Sequence, residues 1–180
     1  MIAASSHLPV LRFAKVGQIR YNERHWQDNG KETEMDNEKK SNLDEGLLGN
    51  EKIEEAIAAL QSEPTEEMLA HTLTVIRRRM REQGQVIVAI EPQSAGSQLQ
   101  VQAIQTGDGS KWWAVFTSFE EELKGAERVM STFLVNLEEL FASALVADGI
   151  AGVIINPWHR TIMLDKTLIA VVQGTDKTQN

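Results

Sequence analysis

The chain has no cysteine, only four prolines and one tyrosine, and no apolar run approaching the roughly 18 residues that a membrane span needs. Without cysteine there is no disulfide, no thiolate nucleophile and no sulfur ligand for a metal. The opening residues, MIAASSHLPVLRFAKVG, carry polar breaks and a proline where a signal peptide has its apolar core. These absences predict a cytoplasmic protein that makes no use of a membrane. Basic charge is also scarce: 18 Lys and Arg face 26 Asp and Glu, a formal net charge of −8. Binding to a polyanion rests on many Lys and Arg contacts to phosphate, so nucleic acid is disfavoured as a partner. The local exception is Arg77, Arg78, Arg79 and Arg81, which read first as a solvated helix face complementing the helix dipole and only second as an anion patch. His7, His25, His71 and His159 stand apart, with no ligand spacing between them, and the sequence carries no P-loop, dinucleotide fingerprint or nucleophile elbow. No metal and no cofactor is expected.

What is present suits one globular domain: 180 residues, 42% of them hydrophobic. Residues 1–34 hold five basic and four acidic side chains, leaving −9 on the remainder, and show no sustained period. Residues 1–49 read as a disordered or poorly packed extension, 50–173 as the domain and 174–180 as a polar tail. Met35 opens a typical polar N-terminus, so residues 1–34 are either sequence upstream of a native start or a genuine tail.

From Asn50 the pattern turns helical. Asn50 suits an N-cap for a helix carrying Ile53, Ile57 and Leu60, and Thr65 suits the cap of a longer helix with the stripe Leu69, Leu73, Ile76 and Met80. Gln85 to Glu91 reads as a strand closed by Pro92. Leu99 to Thr106 alternates most strictly, and Gly107-Asp108-Gly109-Ser110 turns it into Lys111 to Thr117. That last strand places Trp112 and Trp113 on opposite faces. Ser118-Phe119-Glu120-Glu121 is a capping-box arrangement for a short helix ending near Gly125, followed by a strand over 129–135. Asn136 then caps a helix over 137–147, and Asp165 caps a terminal helix over 166–172.

The stretch GIAGVIINPWHRTIML, residues 149–164, organises the rest. Val153 to Ile155 form a strand that Asn156-Pro157 ends, because proline has no N–H and biases the asparagine towards extended backbone. Trp158 and His159 lie on the turn, and a second apolar run starts at Thr161. Together with GDGSKWWAVFTSFEEEL and the capped helix NLEELFASAL, this order of parts resembles the N-terminal domain of bacterial SseB-like proteins. The matching positions are Asp108, Gly109, Val115, Phe116, Thr117, Ser118, Gly149, Ile155, Asn156 and Pro157, and the resemblance spans about residues 50–173. Trp113 and Ala114 stand where that family commonly has a proline. The resemblance implies an α+β domain of bacterial cytoplasm with no established catalytic activity.

The expected architecture is a single α+β domain with a mixed sheet of about five strands and helices packed on it. A triad of Ser118, His159 and Asp165 can be drawn, but both Ser118 and Asp165 are better explained as helix caps. The expected functional surface is Trp112, Trp113, Phe116, Thr117, Asn156, Pro157 and Trp158, where an exposed tryptophan would anchor another protein or a second copy of the chain. The reading is a non-enzymatic interaction or regulatory module. A small-molecule sensor is the first rival and an enzyme the second.

Overall fold

Val86, Val88 and Ile90 of strand β1 (Gln85–Glu91) point to one side of a sheet while Ile87 and Ala89 point to the other, and all five are buried. Successive strand residues face opposite ways, so both faces of this sheet are covered. The computed structural model describes residues 45–91, 100–125 and 131–175. Its other strands are β2 (Gln100–Val101), β3 (Ala103–Gln105), β4 (Lys111–Phe116), β5 (Ser131–Asn136), β6 (Ile150–Ile155) and β7 (Ile162–Asp165). Five long strands lie in the order β5-β1-β4-β6-β7, with β4 and β6 parallel and every other neighbouring pair antiparallel. The fold is the mixed α+β sheet that the sequence predicts.

One strand differs. The sequence predicts a continuous strand over 99–106; Leu99 lies outside the described residues, and the rest is broken at Gln102 into β2 and β3. β1 and β4 pair directly only at Ile87↔Phe116 and Val88↔Val115 and then part. Into the gap go β2, paired with the end of β1, and β3, paired with the start of β4. Gln102 bridges them: its N–H donates to Ala89 O at 2.8 Å and its carbonyl accepts from Ala114 N–H at 3.0 Å. A segment that changes partner cannot keep one ladder, which is why a strictly alternating sequence yields two short strands.

Five helices, α1 (Glu51–Ser62), α2 (Glu66–Arg81), α3 (Phe119–Leu123), α4 (Leu137–Val146) and α5 (Lys166–Gln173), follow the predicted order. Local chemistry sets their starts. Thr65, Ser118, Asn136 and Asp165 each accept from a backbone N–H two or three residues on, at 2.8 to 3.3 Å. α1, α2, α4 and α5 contribute to the larger core, in which Ile53, Ile76, Leu140, Phe141 and Ile169 meet Val86, Val115, Val153 and Leu164. Each such side chain adds about 1.5–3 kcal/mol on burial, so this face holds the fold together. No helix among the described residues is long and apolar enough to cross a membrane.

On the outer face a smaller cluster joins Leu47, Ile87, Ala89, Ala114, Phe116 and Leu134, with Phe119 of α3 packed against it. Leu47, in a 3₁₀ turn over Glu45–Leu47, is buried, so packing begins upstream of residue 50. The expectations for residues 1–44, including Met35 as a start, and for 176–180 fall outside the described residues.

The arginine cluster corrects its own first reading. Arg77 reaches across to α5, where its Nε donates to Val172 O at 2.9 Å and its Nη2 donates to Val171 O. Arg79 is buried. Only Arg78 and Arg81 are exposed, so the four form neither one solvated face nor one anion patch.

Candidate functional site: the junction of β4 and β6

Parallel β4 and β6 end side by side, and the junction is built from the residues that follow them. Asn156 continues the register, its N–H donating to Val115 O at 2.9 Å. Its φ is 51°, a left-handed conformation that asparagine tolerates better than most residues. The side chain is fully buried and grips Thr117: Asn156 Oδ1 accepts from Thr117 N–H at 2.9 Å, and Asn156 Nδ2 donates to Thr117 Oγ1 at 2.8 Å. The single hydroxyl hydrogen of Thr117 then goes to Glu54 Oε1 at 2.6 Å.

Glu54 of α1 collects the neighbouring groups. Its Oε1 also accepts from Ser118 Oγ at 3.1 Å and its Oε2 from Arg160 Nη1 at 2.9 Å. The turn closes on itself, since Thr161 Oγ1 donates to Asn156 O at 2.6 Å and Arg160 takes a second left-handed φ, 47°. Behind the junction, Asn50 is a buried amide and not the expected N-cap: its backbone is helical and its side chain caps nothing. Its Nδ2 donates to Gln85 O at 2.8 Å and to Thr117 O at 2.9 Å, while its Oδ1 accepts from Arg79 Nε at 2.9 Å. Arg79 also donates to Gly46 O at 2.8 Å. An unbroken polar chain therefore runs Arg79, Asn50, Thr117, Asn156, and each buried member is satisfied by its neighbour.

Above this scaffold lies a charged cluster. Glu121 was expected to complete the capping box, and its N–H does donate to Ser118 Oγ. Its carboxylate turns away instead: Oε1 lies 2.6 Å from Lys124 Nζ and 3.0 Å from His159 Nδ1. Lys124 Nζ is also 2.7 Å from His159 Nδ1. Burial pushes the Glu121 carboxyl up, but hydrogen bonds and charge from Lys124 and His159 outweigh it and hold the group below its ordinary value. Its second oxygen, Oε2, is buried and has no hydrogen-bond partner among the described residues. Burial raises the Glu122 carboxyl above its ordinary value, with no compensating cation among the described residues.

The seven residues expected to form one surface are divided by this geometry. Phe116, Thr117 and Asn156 are 2%, 0% and 0% exposed. They are scaffold, because Phe116 is packed in the outer cluster and the polar groups of Thr117 and Asn156 are used up in bonds to each other. Trp113 packs into the helix-side core. Trp112 lies on the outer face over Gly152, where a β-carbon would meet its ring at 2.8 Å and would strike Leu164 O. Pro157 is half-buried, and Trp158 is 46% exposed, its ring resting on Gly125. Sequence reading missed Glu54, Asn50, Arg79 and the partners of His159. A signal for Arg79 existed: it lies seven residues after Thr72, on the edge of the apolar stripe of α2, and both are buried.

An α+β domain whose two junction segments, after β4 and after β6, close on each other through buried side chains is the class defined by this fold and site. The model of the SseB protein N-terminal domain matches residues 53–170, and the chain belongs to that family. No curated protein and no solved structure matches it.

Proposed function

We propose that this domain is a non-enzymatic interaction or regulatory module that presents Trp158 to another protein or to a second copy of itself. The supporting observation is the exposure of a large aromatic at 46% on a turn whose backbone is fixed by buried hydrogen bonds. A turn whose backbone is already fixed loses less entropy on docking, and large aromatics carry a large share of interface energy. The flanking groups suit a rim: Lys124 and His159 are half-exposed and hydrogen-bonded, and Leu123 is 54% exposed on α3.

The test is an affinity capture from host lysate with the full chain, alongside Trp158→Ala, with sedimentation of each protein alone for self-association. Loss of a captured protein, or of a dimer, in a Trp158→Ala variant of unchanged melting temperature supports the reading. Capture and association unaffected by the substitution overturn it.

A further inference from the structure

A second site lies far in sequence from this turn, in the groove between α1 and α2, and it does not rest on the interaction reading. The cavity there has a volume of about 380 Å³, within the range of small-molecule sites. Its wall carries Lys52, Arg78 and Arg79 together with His71, against the carboxylates of Glu55 and Glu82. On a protein of net charge −8, this concentration of cations is a local reversal of sign. Arg79 is 8% exposed and its guanidinium is oriented by Asn50 and Gly46, so one wall is rigid. Glu82 is occupied by Arg79 at 3.7 Å. Among the described residues neither Lys52 nor Arg78 has an ion-pair partner. Ala56, Ala59 and Val75 give the cavity an apolar floor.

We infer that this groove binds a small organic oxyanion, with its phosphate or carboxylate held by Lys52 and Arg78 and its short apolar body on the alanine and valine floor. Two unpaired cations beside a fixed third give charge-assisted donors, the stronger class of hydrogen bond. The apolar floor favours an organic ion over a hydrated inorganic one.

The test is a titration of the full ¹⁵N-labelled chain with inorganic phosphate, phenyl phosphate and succinate at constant ionic strength. Saturable shifts at the Gly49, His71 and Val75 amides, weakened about tenfold or more in a Lys52→Gln, Arg78→Gln double variant and unchanged in Arg81→Gln, are expected. Both substituted residues are exposed, and the double variant's spectrum serves as its folding control. Saturation by phenyl phosphate alone assigns a phosphate ester, and by succinate alone a carboxylate. Saturation by both organic ions with weaker binding of inorganic phosphate supports an organic oxyanion site, and inorganic phosphate binding as tightly as phenyl phosphate overturns the role of the apolar floor. Shifts that stay linear, that match in wild type and double variant, or that map away from the groove overturn the inference.

Discussion

Asn156 combines two costs that substitution can separate. Asn156→Ala removes the grip on Thr117 and also forces a β-carbon-bearing residue without a polar side chain to hold φ at 51°. Unsatisfied buried groups cost about 1–3 kcal/mol and left-handed backbone about 1–2 kcal/mol, so a loss of about 3 kcal/mol is expected in urea unfolding. Asn156→Gly keeps the first cost and relieves the second, and it should be the more stable of the two by about 1 kcal/mol. Equal stability would mean that φ carries none of the effect. Glu121 and Glu122 predict opposite pH slopes from adjacent positions. The folded-state value of Glu122 is raised above its ordinary 4.5, so the folded protein binds the extra proton and stability falls as pH rises through that raised value. Glu122→Gln should therefore raise the melting temperature near neutral pH and lose its advantage by about pH 4. Glu121 is lowered, so its stabilisation is present above 4.5 and is lost as pH falls through the folded value. Glu121→Gln should lower the melting temperature near neutral pH, with the deficit closing in acid. Calorimetry of both variants across pH reads the two slopes.

At the level of elements, the turn that follows α3 sets where the exposed aromatic points. A β-carbon on Gly125 would overlap the Trp158 ring, and that ring is half-exposed and free to move outward. Gly125→Ala should leave stability within about 0.5–1 kcal/mol while increasing acrylamide quenching of Trp158 fluorescence; unchanged quenching would show that the ring does not lean on the turn after α3. Helix starts were legible because Thr65, Ser118, Asn136 and Asp165 reach no further than three residues to act. Alternation in Lys111–Phe116 correctly put Trp112 and Trp113 on opposite faces. What alternation could not supply was the partner. Asn50 looked like a cap because residues before an amphipathic helix usually are, yet its contacts lie 29, 35 and 67 residues away. The same limit hid Arg77, whose carbonyl partners are 94 and 95 residues on. For the candidate site this mattered most: the residues of both motifs were visible, but their burial depends on their gripping one another.

Across the whole molecule, the wedge of β2 and β3 leaves β5-β1 and β4-β6-β7 as two ribbons that touch directly at two residue pairs. By contrast, six pairs join β1 to β5 and five join β4 to β6. Two amides close the gap, Gln102 from its backbone at one end and Asn50 from its side chain at the other. Local opening follows the weakest line of contact. Native-state hydrogen exchange should accordingly report two cooperative units. The amides of Gln102 and Ala114, which donate across the gap, should exchange at a lower opening free energy than those of Val86 and Val135 inside the first ribbon. Asn50→Ala should lower that opening energy for the first two amides more than for the others. The sheet is then a hinge line held shut by one clasp at each end, and a domain that reads as rigid in its helices has its softest motion down the middle.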